Sequence, residues 1–207
     1  MNKVTIIGTG SVGSTIAYTL TVANIATEII MIDINGDKAI GEAADIAHGL
    51  PFLGSMNVYA GDYSCVKDCD VIVVTAGANR KVGETRLDLA RKNTAIAKDI
   101  TTNIMKYYNG GVILVVAKPV DILTYMISKW TGLPNGMVLG SGTTLDTIRF
   151  RSALASITDI DCINIHGYII GEHGDSQVPV WSNTHIAGIQ VDDFCKMMGV
   201  PLDDKIK

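Results

Sequence analysis

Val4-Thr5-Ile6-Ile7-Gly8-Thr9-Gly10-Ser11-Val12-Gly13 is a short apolar run that passes directly into a Gly-x-Gly-x-x-Gly pattern. β-Branched residues in succession suit a strand buried on both faces. Helical spacing takes over at once, from Ser11 to Ala23. In such a strand–loop–helix unit each glycine has its own task. Gly8 permits the tight turn, Gly10 lets the backbone approach a pyrophosphate, and Gly13 lets helix and strand pack closely. The start of the helix adds free N–H groups and the positive end of a dipole, both favourable to phosphate. A second apolar run, Ile29–Ile32, closes on Asp33, at the spacing of about 20 residues where an acid reaches the ribose. A carboxylate there accepts the ribose hydroxyls and repels a 2′-phosphate. These residues together specify NAD rather than NADP.

Working outward, Gly36–Leu50 is helix-like and stops before Pro51, and Asp70–Thr75 is a third apolar run closed by Ala76 and Gly77. Arg86–Tyr108 is a long helical stretch, Val112–Ala117 a fourth strand, and Asp121–Trp130 a further helix. Strands alternating with helices imply parallel pairing through right-handed crossovers. Residues 1–140 therefore read as a doubly wound α/β domain of the Rossmann type. After Gly140 the rhythm changes. Leu145–Ile157 looks helical, Ile163–Ile169 looks like a strand, and Val178–Trp181 is short and contains a proline. A second domain, of α+β character, is expected over 141–207.

Composition narrows the function classes. A net charge of −4 with no basic block argues against a nucleic-acid partner. No apolar run approaches the roughly 20 residues that span a bilayer, and Met1 runs straight into a strand without a charged-then-apolar leader. A protein of the cytoplasm, without a membrane partner, is expected. Cys65, Cys69, Cys162 and Cys195 are too scattered for a two-pair zinc site and read as reduced thiols; no metal is expected.

Three polar segments carry candidate chemistry: Thr75–Arg86, with glycines and two arginines after the third strand; Leu145-Asp146-Thr147-Ile148-Arg149; and Gly171-Glu172-His173-Gly174-Asp175. The first suits a mobile lid at the carboxyl end of a parallel sheet. Taken with Gly8–Gly13 and Asp33, the stretches GETRLDL (83–89), PVD (119–121), LDTIRFR (145–151) and GEHGDS (171–176) resemble the L-lactate/L-malate dehydrogenase family, in order and essentially end to end. That resemblance implies hydride transfer between NAD and a small 2-oxo or 2-hydroxy acid. It makes His173 the acid/base, a task suited to imidazole. Asp146 becomes the partner of its other ring nitrogen, Arg149 the fork that holds the substrate carboxylate, and Arg86 the group that polarises the carbonyl. It further implies cofactor contacts at Val12, Lys38, Tyr63, Gly77, Ala78, Val116, Ala117 and Ser141, besides Gly8, Gly10, Gly13 and Asp33. Substrate contacts are implied at Arg80, Lys118 and Asp121. Arg151 and His166 resemble the cationic pair of bacterial lactate dehydrogenases activated by fructose 1,6-bisphosphate. GEAADIAHGLPF resembles the segment used for subunit pairing, which implies a homo-oligomer, a homotetramer in the allosteric type.

The sequence departs from the family pattern in three places. Arg80 stands where lactate dehydrogenases usually carry glutamine and malate dehydrogenases arginine, so its charge points to oxaloacetate, while GETRLDL and the Arg151/His166 pair point to pyruvate. Lys118 replaces the asparagine of Asn-Pro-Val-Asp, offering only donors where the family uses a donor and an acceptor; a sharp fall in turnover is expected from it, and a catalytically impaired NAD-binding chain is the alternative reading. Finally, the chain stops at Asp203-Asp-Lys-Ile-Lys207, where the family continues for several helices. The second domain is expected to be incomplete and to expose apolar surface.

Overall fold

The computed structural model describes residues 2–80 and 82–202; the charged segment 203–207 lies outside the described residues. The chain divides into two compact units, Met1–Gly140 and Ser141–Lys207.

In the first unit the elements follow in the order β1 (Lys3–Ile7), α1 (Ser11–Ala23), β2 (Glu28–Ile32), α2 (Gly36–His48), β3 (Asn57–Ala60), β4 (Val71–Val74), α3 (Arg86–Met105), β5 (Val112–Val115), α4 (Val120–Thr131) and β6 (Val138–Gly140). The six strands form one parallel sheet in the order β3-β2-β1-β4-β5-β6. Side chains alternate across it. Ile7, Ile30, Ile72 and Ile113 pack with Ile100, Ile104, Leu123 and Ile127 of α3 and α4. Ile6, Ile29, Met31 and Val73 pack on the other face with Ala17, Ala43 and Ile46 of α1 and α2. With both faces covered, no position of the central strands has to be polar. Register sets the functional edge: Ile7 pairs with Ile32 and with Val74, and Val74 with Val115. Gly8, Asp33, Thr75 and Val116 therefore leave the sheet side by side at its carboxyl end.

The second unit contains α5 (Thr144–Thr158), β7 (Ile165–His166), β8 (Ile169–Ile170), β9 (Val178–Pro179), β10 (His185–Ile186), β11 (Ile189–Gln190) and α6 (Val191–Met198). β11, β10 and β7 form one antiparallel sheet, and β8 and β9 another. Leu154, Ile165, Ile186, Val191, Phe194 and Cys195 make its core. Phe150 meets Trp181 edge-on, with ring centroids 5.0 Å apart.

Here the structure corrects the sequence reading. The run 163–169 is not one strand: Cys162–Asn164 is a 3-10 turn, and the remainder divides between β7 and β8 in separate sheets. Gly167 makes the break. A Cβ there would sit 2.7 Å from Phe150 Cε1, so the backbone crosses the aromatic edge where no side chain fits. Likewise Val178–Trp181 is a strand only over Val178–Pro179; Val180 still donates to the Tyr168 carbonyl, and the chain then turns into a 3-10 segment at Trp181–Asn183. All four cysteines are free thiols. Among the described residues no helix is long and apolar enough to cross a membrane.

Candidate dinucleotide loop and acid–base pair

The β1–α1 loop is shaped by its glycines. Gly8 has φ +104°, and a Cβ on it would lie 2.6 Å from the Ala76 nitrogen. A Cβ on Gly13 would strike the Gly8 carbonyl oxygen, whereas around Gly10 there is open space to 4 Å. Gly10 caps α1 without any side-chain hydrogen bond, which leaves the first-turn N–H groups to an external acceptor. An uncapped N-terminus beside room for a group at Gly10 fits a pyrophosphate.

Asp33 is bound into this loop. Its Oδ2 accepts from the Thr9 N–H at 2.7 Å and from the Thr9 hydroxyl at 3.2 Å, and its Oδ1 accepts from the Asn35 N–H at 2.9 Å. Burial pushes its carboxyl up, but the hydrogen bonds from Asn35 and Thr9, with the nearby Lys38 charge, outweigh it and hold the group below the ordinary carboxylate range. Asp33 is thus an anion with lone pairs left for ribose hydroxyls, since a carboxylate offers about four acceptor sites. Thr75 closes the other side, its hydroxyl donating to the Gly8 carbonyl at 2.7 Å. Of the other expected cofactor residues in this unit, Val12, Lys38 and Gly77 are exposed, Tyr63, Ala78 and Val116 half-buried, and Ala117 buried. Burial raises the Tyr63 phenol pKa, with Asp99 and Asp33 acting in the same direction.

Beyond β4, one buried side chain joins two loops. Asn93 of α3, 3% exposed, accepts from the Ala78 N–H at 2.8 Å through Oδ1. Its Nδ2 donates to the Ala78 carbonyl at 3.2 Å and to the Lys118 carbonyl at 2.7 Å. Arg80, Arg86, Lys118 and Asp121 are all exposed. Thr85 and Asp88 form a capping box that starts α3 at Arg86. Asp121 lies in the first turn of α4, which follows the cis Lys118–Pro119 bond.

In the second unit Asp146 occupies the first turn of α5, where free N–H groups favour negative charge. It is 8% exposed. Its Oδ2 lies 2.5 Å from His173 Nδ1, and its Oδ1 lies 3.5 Å from Arg149 Nη1, one turn along the helix. His173 sits in the loop between β8 and β9. That loop is tightened by Gly171 (φ +93°), by the Gly174 N–H donating to the Glu172 carbonyl at 2.8 Å, and by Ser176 donating to the Glu172 carboxylate at 2.8 Å. With the carboxylate accepting at Nδ1, the ring presents Nε2 for proton exchange. Arg149 remains largely exposed, as a group that binds an anion from solvent must be. Ser141 begins the unit, half-buried. Arg151 donates through Nε to the Gly167 carbonyl at 3.0 Å and lies 5.2 Å from the Tyr168 ring centroid; His166, at the end of β7, is exposed.

Sequence reasoning missed Thr9, Asn93, Thr143 and Thr147. Thr9 stands at a variable position of the glycine motif, and Asn93 is one polar residue in a helix of many. Thr143 and Thr147 flank Asp146 and bond across to Ile169. Only their position beside candidate site residues could have drawn attention to them.

Residues 2–140 match the family described as lactate/malate dehydrogenase, NAD binding domain, and residues 143–207 match lactate/malate dehydrogenase, alpha/beta C-terminal domain. An L-lactate dehydrogenase of Thermoanaerobacter pseudethanolicus is 56% identical over 199 residues, covering 96% of this chain and 64% of its own length. One from Clostridium perfringens is 48% identical over 206 residues, covering 100% of this chain and 65% of its own. Among solved structures, the minor L-lactate dehydrogenase of Enterococcus mundtii superposes with a TM-score of 0.91 at 42% identity, over 94% of this chain and 62% of that one. The L-lactate dehydrogenase of Clostridium thermocellum gives 0.84 at 60% identity, over 96% and 65%. The chain thus spans somewhat less than two thirds of the length of the relatives it matches. Two matched domains, the glycine loop with its aspartate and the His173–Asp146 pair lead to one assignment: this chain belongs to the lactate/malate dehydrogenase family.

Proposed function

We propose that the protein carrying this chain is an NAD-dependent L-2-hydroxy-acid dehydrogenase that interconverts pyruvate and L-lactate. The observation that carries the reading is the His173 Nδ1–Asp146 Oδ2 contact at 2.5 Å, with Arg149 one turn away on the same helix. Such an arrangement joins a proton donor, the group that orients it and an anion anchor within one compact unit. The residues of the glycine loop fit a dinucleotide, and the anionic Asp33 favours NAD over its 2′-phosphorylated form. NADH, when bound, supplies the hydride for C2 of the 2-oxo acid. Asp146 holds the His173 ring so that Nε2 delivers the proton to the carbonyl oxygen and recovers it in the reverse direction. Arg149 takes the substrate carboxylate in a bidentate fork, which fixes the carbonyl's orientation. Arg86 stabilises the developing alkoxide, and Asp121 and Lys118 complete the substrate contacts. Val12, Lys38, Tyr63, Gly77, Ala78, Val116, Ala117 and Ser141 complete the cofactor's surroundings.

The relatives named above are L-lactate dehydrogenases, which supports pyruvate as substrate. Arg80 supports oxaloacetate, because its guanidinium would pair with a second carboxylate. Steady-state assays of the complete protein with each acid decide the matter: the lactate reading expects the higher kcat/KM for pyruvate, and a clear preference for oxaloacetate overturns it. The finer reading is a cytoplasmic fermentative enzyme, a homotetramer, activated by fructose 1,6-bisphosphate at Arg151 and His166. Adding that effector to the complete protein should lower the KM for pyruvate, and an Arg151→Ala variant should abolish the response. An unchanged KM in the unsubstituted protein refutes the effector site.

A further inference from the structure

Two threonines of the second unit do not behave as threonines in helices usually do. Thr21, Thr101, Thr124 and, within α5 itself, Thr158 donate back to the carbonyl four residues earlier. Thr147 instead turns its hydroxyl outward from α5: Oγ1 accepts from the Ile169 N–H at 3.0 Å and donates to the Ile169 carbonyl at 3.4 Å. Thr143 occupies the N-cap, where a threonine normally bonds to its own helix. It makes no such bond, and its Oγ1 donates to the Ile169 carbonyl at 2.6 Å. Both peptide groups of one strand residue are therefore taken up by side chains of α5.

The reason lies in β8. Ile169 stands opposite Pro179, and the flanking Val180 N–H donates to the Tyr168 carbonyl at 2.9 Å, which makes Ile169–Pro179 a non-hydrogen-bonded pair. In an antiparallel ladder, peptide groups alternate between facing the partner strand and facing away. Those of Ile169 face away from β9, and Ile169 and Thr147 are each 8% exposed, so water cannot satisfy them. The two hydroxyls stand in for a third strand. Thr147 directly follows Asp146, and Ile169 opens the strand that leads into the His173 loop.

We propose that Thr147, supported by Thr143, is a positioning residue for the acid–base pair: it sets the height of β8 against the first turn of α5, so that Asp146 Oδ2 meets His173 Nδ1. This role rests on the proton transfer proposed for His173. A valine at 147 keeps the shape and removes both hydrogen bonds, whereas a serine keeps the bonds.

Long-range ¹H–¹⁵N correlation of the imidazole rings in this chain tests it, with the His173 signals assigned by their loss in H173Q. At a pH where the rings are neutral, the unsubstituted chain and T147S should carry the His173 proton on Nδ1. In T147V a large fraction should move to the Nε2–H form. In the complete protein T147V should lower kcat by at least about tenfold, part of the roughly 100-fold or more that acid–base transfer supplies, with the KM for NADH unchanged within about twofold. Nδ1–H in all three chains overturns the role of Thr147 and leaves the acid–base pair standing. Nε2–H in the unsubstituted chain overturns the pair itself, and the role with it. If T147V loses the fold of its unit, read from Trp181 fluorescence, T143V takes its place. Loss of the 2.6 Å bond should then give a mixture of tautomers, and unmixed Nδ1–H overturns the proposal.

Discussion

Replacing Asn93 by alanine should destabilise the first unit selectively, by an amount that follows from its hydrogen bonds. Asn93 makes three, at 2.8, 3.2 and 2.7 Å, to peptide groups of Ala78 and Lys118, from a side chain only 3% exposed. At a net worth of about 1 kcal/mol each, the loss is about 3 kcal/mol. Truncation opens a polar-lined space large enough for a water, which would return part of this, so about 2–3 kcal/mol is expected. The two tryptophans make the measurement specific, since Trp130 lies in the first unit and Trp181 in the second. In a Trp181→Phe background, urea unfolding followed by fluorescence reports the first unit alone. With a slope of about 1.5–2 kcal/mol/M, the midpoint should fall by about 1–2 M. N93D supplies the control of mechanism. Its carboxyl could still accept from the Ala78 N–H but would face two carbonyls. Its folded pKa would rise above the unfolded value of about 3.9. The sign follows: N93D should be least damaging below about pH 4 and lose stability as pH rises through the folded pKa, while N93A should show no such trend. A midpoint shift below about 0.3 M for N93A, or identical pH profiles for the two variants, would refute the clamp.

Asp33→Asn should behave in the opposite sense with pH. The folded-state pKa of Asp33 is depressed, so its contribution to stability is present above about pH 3.9 and is lost as pH falls through the folded value. Urea midpoints should separate the two proteins at pH 7 and draw together as pH is lowered below about 3.9; a gap that does not narrow contradicts the account. The same variant should narrow the preference for NADH over NADPH in a binding titration. Gly13→Ala drives a methyl group into the Gly8 carbonyl oxygen and should cost about 1–3 kcal/mol or more. Gly10→Ala meets nothing within 4 Å; it should change stability by less than about 1 kcal/mol yet weaken NADH binding at least about tenfold, and undiminished affinity would remove the pyrophosphate from Gly10. In the complete protein Lys118→Asn restores a donor and an acceptor and should raise kcat, so an unchanged kcat acquits Lys118.

The strands that were legible are those whose two faces are both covered. β1, β2, β4 and β5 read as continuous apolar runs because helices pack above and below them. β3 and β6 lie at the sheet edges, and Asn57, Tyr59 and Leu139 are exposed, so composition separates them poorly from loops. In the second unit the elements are short. β7 and β8 are two residues each, and Gly167-Tyr168 separates them, too little chain for periodicity to register. α6 is amphipathic over only eight residues and went unread. At the candidate site, residues within recognisable motifs were legible, His173, Asp146, Arg149 and Asp33 among them. Asn93 and Thr147 were not, because each bonds to backbone groups that only the folded chain brings near, and Thr9 was not, because its partner is the Asp33 carboxylate on the next strand.

The bonds between Thr9 and Asp33 carry a thermodynamic consequence. A free aspartate side chain gives up rotamer freedom when a ligand immobilises it, and that loss subtracts from affinity. Here the rotamer is already selected when the sheet forms, by donors on the loop and at the start of the next helix. Dinucleotide capture should then proceed with little ordering of this carboxylate. Cutting the Thr9 hydroxyl, which is buried and donates to Asp33, should appear in calorimetry as a less favourable binding entropy rather than a lost enthalpy.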